Sequence, residues 1–116
     1  MIPVKNEGQL TSQIKNYLAS KGAYCEKIFG GGYQASGIPD LIVCYKGLFV
    51  AIEVKSPTHK GRASDIQKVK IKRIRGCGGI AFITDNMKDV ETIFDFIDNE
   101  YLLGSIKEFP YNDTYL

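Results

Sequence analysis

One histidine and three cysteines in 116 residues leave little material for a soft-metal or redox site. His59 stands in the loop Thr58-His59-Lys60-Gly61, where a histidine is ordinarily solvated, and with no second histidine a zinc reading fails. Cys25, Cys44 and Cys77 have neither metal-ligand nor redox spacing, and their number is odd. Each lies near apolar residues, as a reduced structural cysteine does, which points to the cytoplasm. No uninterrupted apolar run approaches the roughly 20 residues of a membrane span, and no basic-then-apolar signal opens the chain. The expectation is a soluble protein with no membrane partner. Internal repeats and low-complexity stretches are also missing, so residues 1–116 are expected to form one domain whose core can fold unaided.

Acidic residues are nearly absent from one long stretch. Between Lys55 and Arg75 stand eight basic residues and a single acid, Asp65; from Asp85 onward eight acids face only Lys88 and Lys107. One end therefore attracts polyanions while the other repels them, which suggests a nucleic-acid-binding face. Lys68, Lys72 and Arg75 recur at i, i+4 and i+7, the spacing of one exposed helical stripe, and Lys60 and Arg62 precede them. Contacts from these five to phosphates would give affinity without base specificity.

Periodicity divides the chain into seven elements. A first helix is expected from about Glu7 to Lys21, with Leu10, Ile14, Tyr17 and Leu18 inward and Gly22 ending it. A short strand follows over Ala23 to Phe29, then a loop containing Gly30 to Gly32. Ser64 caps a second helix running to about Arg75, with Ile66, Val69, Ile71 and Ile74 marking its buried side. Ile80 to Thr84 reads as a strand parallel to those before it, and Met87 to about Leu103 as a last helix with Val90, Ile93, Phe94, Ile97 and Tyr101 inward. Tyr101, Tyr111 and Tyr115 read as packing or interface residues, and the tail from Gly104 has no periodicity.

Two apolar runs meet at Lys46-Gly47 and are bracketed by Pro39 and Pro57. A two-residue hairpin there pairs Leu41 with Ile52, Ile42 with Ala51, Val43 with Val50 and Cys44 with Phe49. In that register Asp40 lies opposite Glu53, with Cβ atoms about 4.5–5.5 Å apart, where like charges repel. Alternation puts Lys55 on the same face and turns Val54 away. Three ionisable groups at the end of a doubly apolar hairpin are costly as mere structure. They suit phosphodiester hydrolysis: Asp40 and Glu53 holding Mg²⁺ or Mn²⁺, the Val54 carbonyl as a further oxygen ligand, and Lys55 acting on water or on transition-state charge.

Pro39-Asp40 followed by Glu53-Val54-Lys55 resembles the PD-(D/E)XK nuclease signature. The wider set, Gly37-Ile38-Pro39-Asp40, Glu53-Val54-Lys55, Gly61-Arg62, Ser64, Gln67 and Gly78-Gly79, resembles the virus-type replication-repair nuclease family, VRR-NUC, over most of the chain. That resemblance implies an α/β, restriction-endonuclease-like αβββαβα core with a mixed central sheet flanked by helices. It also implies that Gln67 lies near the site and that Glu7, at the opening of the first helix, is a further metal ligand. The family often has an Arg or Lys and a single glycine where this chain has Lys27 and a triple glycine, so the departure is small and lies in the loop. Stand-alone members resemble phage or prophage enzymes, so the resemblance implies a metal-dependent DNA endonuclease, first of all a homodimeric Holliday-junction resolvase acting on four-way junctions. A flap, nicking or restriction-like duplex endonuclease is the alternative, and a non-catalytic nucleic-acid-binding module is the alternative from another class.

Overall fold

The computed structural model describes residues 4–29, 36–58, 61–103 and 108–116. Helix α1 spans Glu7–Ser20, and the Asn6 side chain caps it by accepting from the Gln9 amide at 2.8 Å. It stops where Gly22 turns left-handed (φ +78°), with Gly22 N–H donating to Ala19 O and Ala23 N–H to Leu18 O, the paired bonds of a Schellman end. Strand β1 covers Tyr24–Lys27, shorter than its apolar stretch suggested.

Strands β2 (Leu41–Tyr45) and β3 (Leu48–Val54) form the expected hairpin. Lys46 and Gly47 have φ of +50° and +82°, the two left-handed residues that a tight primed turn needs. The register is the one the alternation requires, Leu41 with Ile52 through Cys44 with Phe49. Helix α2 (Asp65–Gly76) then leads to β4 (Ile80–Thr84), which pairs parallel with β3. Helix α3 covers Met87–Asn99, and a separate 3-10 turn takes Tyr101–Leu103. The sheet is mixed, in the order β1-β2-β3-β4.

The sheet's two faces are unequal. One is covered by α1 and α3: Leu41, Val43, Val50, Ile52, Val54 and Phe82 bury against Leu10, Ile14, Leu18, Val90, Phe94 and Ile97. Each such side chain contributes about 1.5–3 kcal/mol over its exposed state. On the other face α2 lies over the β3–β4 half, where Ala51 and Ala81 are small enough to let Ile71 approach. This orientation corrects the expected buried side of α2. Ile71 is buried and Ile74 partly so, but Ile66 and Val69 are 42% and 47% exposed. Cys44 and Cys77 are exposed as well, not buried structural cysteines, and Tyr101 lies at the surface.

Asp98 of α3 ties the hairpin's far end down, accepting from Lys21 (2.7 Å), the Tyr45 hydroxyl (2.7 Å) and Lys46 (3.1 Å). Residues 108–116 fold back on β4. Phe109 packs between Phe96 and Tyr101, each 5.0 Å away, and the Tyr111 hydroxyl accepts from the Ala81 amide at 3.4 Å. Tyr115 donates to Asp85 at 2.8 Å, and burial together with that carboxylate pushes its hydroxyl up to about 12. Tyr111 and Tyr115 are thus packing residues. Among the described residues, no helix is long and apolar enough to cross a membrane.

Candidate active site

The register carries Asp40 and Glu53 to the same end of the hairpin, one residue beyond the Leu41–Ile52 pair. Glu53 is buried, 5% exposed. Asp40 Oδ2 accepts from the Val54 amide at 2.9 Å, and its Oδ1 lies 3.5 Å from the Lys27 ammonium, a neighbour that hydrophobic patterning does not reveal. Val54 gives its N–H to Asp40 and buries its side chain in the larger core, which fixes the strand between the two site-facing residues. Lys55 Nζ sits 3.9 Å from Glu53 Oε2.

Gln67 joins these groups. Its Oε1 accepts from Lys55 Nζ at 2.9 Å and from the Ser64 amide at 2.9 Å, while its Nε2 donates to Glu53 Oε2 at 3.3 Å. Ser64 Oγ in turn accepts from the Gln67 amide at 3.2 Å, completing a capping box at the start of α2. Ser64-x-x-Gln67 is visible in the sequence as this helix signal, and the geometry shows one side chain both starting the helix and holding the lysine. Gly37, at φ +79°, seats the segment before Asp40 against the same helix end. A Cβ there would lie 2.9 Å from the Ile66 carbonyl carbon and oxygen.

Burial raises Glu53 most, the facing Asp40 charge raises it further, and Lys55 opposes both; the carboxyl ends at about 8. Two close carboxylates, one of them desolvated, call for a cation. The donor set fits Mg²⁺ or Mn²⁺, which take oxygen ligands and bind through one or two carboxylates plus substrate phosphate. Glu7 opens α1, is exposed, and is close enough to add a small repulsion to Glu53. Among the described residues, no three His, Cys, Asp or Glu side chains gather into a metal-holding group.

The expected basic stripe is divided. Arg62 and Lys68 line a cleft of about 630 Å³ beside Asp85 and Tyr115, and Lys72 is exposed on α2. Arg75 is not available to a phosphate. It donates from Nε to Ala81 O at 2.8 Å, pairs with both oxygens of Asp113 at 2.8 and 2.9 Å, and stacks 3.6 Å from the Tyr111 ring centre. Lys60, His59 and the glycines at 30–32 lie outside the described residues.

No protein-family model and no curated protein matches the chain. Two solved structures share its architecture. A VRR_NUC domain superposes with a TM-score of 0.63 over 80% of this chain and 95% of its own length, at 24% identity. The chain has the fold of a VRR_NUC domain. Hjc from Archaeoglobus fulgidus, a Holliday junction resolvase, superposes with a TM-score of 0.50 over 66% of this chain at 22% identity, and the match spans 64% of the resolvase. The restriction-endonuclease-like α/β core expected from the resemblance is therefore the observed fold.

Proposed function

We propose that the chain is a metal-dependent DNA endonuclease of the VRR-NUC kind. The observation that carries this reading is the convergence of Asp40, Glu53, Lys55 and Gln67 within one set of hydrogen-bonded and ionic contacts on a fold shared with a VRR_NUC domain. Asp40 and Glu53 would hold Mg²⁺ or Mn²⁺, with the Val54 carbonyl and Glu7 as further candidate oxygens. When bound, the cation supplies Lewis-acid stabilisation of charge on the phosphate.

The chain's own residues do the rest. The Val54 amide and Lys27 fix the Asp40 carboxylate, and the Gln67 amide fixes Glu53. Gln67 Oε1 aims the Lys55 ammonium at the space beside the carboxylates, where it can donate to a phosphate oxygen or to the attacking water. Arg62, Lys68 and Lys72 would hold the DNA backbone, as would Lys60.

A four-way junction is the substrate we favour, cut in symmetry-related strands by a homodimer, because one such domain offers a single catalytic centre and a two-fold dimer matches a two-fold substrate. The fold shared with the archaeal Holliday junction resolvase supports this choice. Residues of the tail are taken up by intramolecular packing, so the dimer surface is sought at the exposed Tyr101 and Leu102. The test is a cleavage panel of junction, flap, nicked and linear DNA with Mg²⁺, Mn²⁺, Ca²⁺ or EDTA, run beside sedimentation. Cutting of no substrate with Mg²⁺ or Mn²⁺, or cutting that survives EDTA, overturns the nuclease reading. A monomer at micromolar concentration that prefers flaps replaces resolution by flap cleavage.

A further inference from the structure

Among the described residues, no helix lies over the β1–β2 half of the α2-side sheet face. Register puts Ile42 and Cys44 of β2 and Phe49 of β3 on the same face as Asp40 and Glu53. Ile42 is half-buried, Cys44 is exposed, and Phe49 is 46% exposed. Ile66, Lys70, Arg73 and Cys77 fall at i, i+4, i+7 and i+11 along one flank of α2, the flank that borders this open half. Lys70, Arg73 and Cys77 line a cleft of about 420 Å³ whose other wall includes Phe49 and Gly79. The result is a trough with an apolar floor and a cationic wall. Phe49 lies on the same face of β3 as Glu53, four residues along the strand, about 13 Å away at the usual rise.

Resting on the nuclease reading above, we propose that this trough holds an unpaired DNA strand next to the scissile phosphate, with Phe49 as a base-stacking platform and Lys70 and Arg73 on the phosphates. Three observations select that occupant. An exposed aromatic ring beside cations is the combination that binds single strands: every base has a face to stack, and the backbone needs positive charge. Phe49 and Glu53 share one face of β3, so a strand held in the trough lies on the same sheet face as the site. A second copy of the chain is disfavoured by charge, because a two-fold pairing through this face would bring the Lys70 and Arg73 side chains of both copies together. The cations here are not the ones that helical spacing first singled out. Lys68 lies in the cleft on the opposite flank of α2, and Lys70 and Arg73 carry the trough side.

The chain contains no tryptophan, so Phe49→Trp places a single reporter in the trough. In an Asp40→Asn background with EDTA, a 20-nucleotide single strand should quench that fluorescence, and the blunt duplex of the same sequence should not. By fluorescence anisotropy, Phe49→Ala should weaken single-strand binding about tenfold and leave blunt-duplex binding unchanged. Lys70→Gln with Arg73→Gln should lower the slope of log affinity against log salt by about 0.7 for each phosphate left without its cation. Phe49→Leu, which retains apolar packing without the ring, should behave like Phe49→Ala, which separates stacking from a folding defect. Equal single-strand affinity in Phe49→Ala and the parent overturns the proposal. So does a Phe49→Ala variant that sediments as a monomer where the parent is a dimer, because the face would then be a self-association surface. Unaltered cutting with no Phe49 effect removes the trough and leaves the nuclease; Phe49-dependent binding without cutting of any DNA does the reverse.

Discussion

Glu53 gives the site a pH signature that can be read without any substrate. Its carboxyl lies at about 8 in the folded chain against an ordinary 4.5. A raised acid pKa means that the folded state keeps a proton which the unfolded chain has already released, so this group favours folding fully below pH 4.5 and progressively loses that contribution as pH rises to about 8. At about 1.4 kcal/mol for each pH unit across that span, the penalty for ionising Glu53 beside Asp40 approaches 5 kcal/mol as an upper bound. That is a large share of the 5–15 kcal/mol typical of a folded domain. Glu53→Gln removes the titration and keeps an oxygen able to accept from Gln67. In EDTA the variant should melt near the parent at pH 5 and above it at pH 8.5, by up to about 20 °C at about 4 °C per kcal/mol for a chain of this size. Magnesium at 10 mM should restore the parent at pH 8.5 and do little for the variant. Circular-dichroism melts from pH 5 to 9 with and without Mg²⁺ provide the assay. Parallel melting profiles at every pH, or a variant less stable than the parent at pH 8.5 in EDTA, would refute the account of a crowded carboxylate pair.

Asp40→Asn and Lys55→Ala should each reduce cleavage by at least a hundredfold while leaving DNA affinity within a few fold, measured by single-turnover cutting and anisotropy. Gly37→Ala forces a Cβ against the Ile66 backbone in a left-handed conformation, so it should cost about 2–4 kcal/mol in urea unfolding and slow cleavage by displacing Gln67. Asp98→Ala, far from the site, strands two lysines and a tyrosine hydroxyl; it should lower stability by about 2 kcal/mol with cleavage at 25 °C unchanged. Charge reversal at Lys68 and Lys72 should weaken all DNA sequences alike; a loss confined to one sequence would contradict phosphate contact.

The hairpin and its carboxylates are legible in the sequence because two strands of period 2 meeting at Lys46-Gly47 admit one register that keeps both apolar sets in place. The element order is equally legible, since Gly22 ends the first helix and Ser64 and the glycines after Arg75 bound the second, whereas α3 stops at Asn99, short of the expected Leu103, where no glycine marks its end. The orientation of α2 is not. Four apolar residues at helical spacing show a face, but which part of it meets the sheet depends on the small pair Ala51 and Ala81 and on what the tail covers. Ile66 is left on the flank that borders the open trough and Val69 on the side turned away from the sheet, which is why both are exposed. Helical spacing misplaces Arg75 on the phosphate-binding stripe because its partner, Asp113, stands 38 residues away in a segment without periodicity. Lys27 belongs to Asp40 through a strand pairing, β1 with β2, that no turn signal announces.

The arginine–tyrosine clamp on Ala81 also bears on how the sheet meets other molecules. β4 is an edge strand, and an edge ordinarily offers free amides and carbonyls to any extended chain that arrives. At Ala81 both are taken by side chains: the amide by the Tyr111 hydroxyl and the carbonyl by Arg75, itself held by Asp113. Strand addition at Ala81 is therefore opposed jointly by Arg75 of α2 and by Tyr111 and Asp113, which come after the last helix. Removing residues 108–116 would open a templating edge, and the shortened chain should be prone to form fibres as well as to lose stability. The opposite edge, β1, is protected by brevity and by the charged side chains of Glu26 and Lys27.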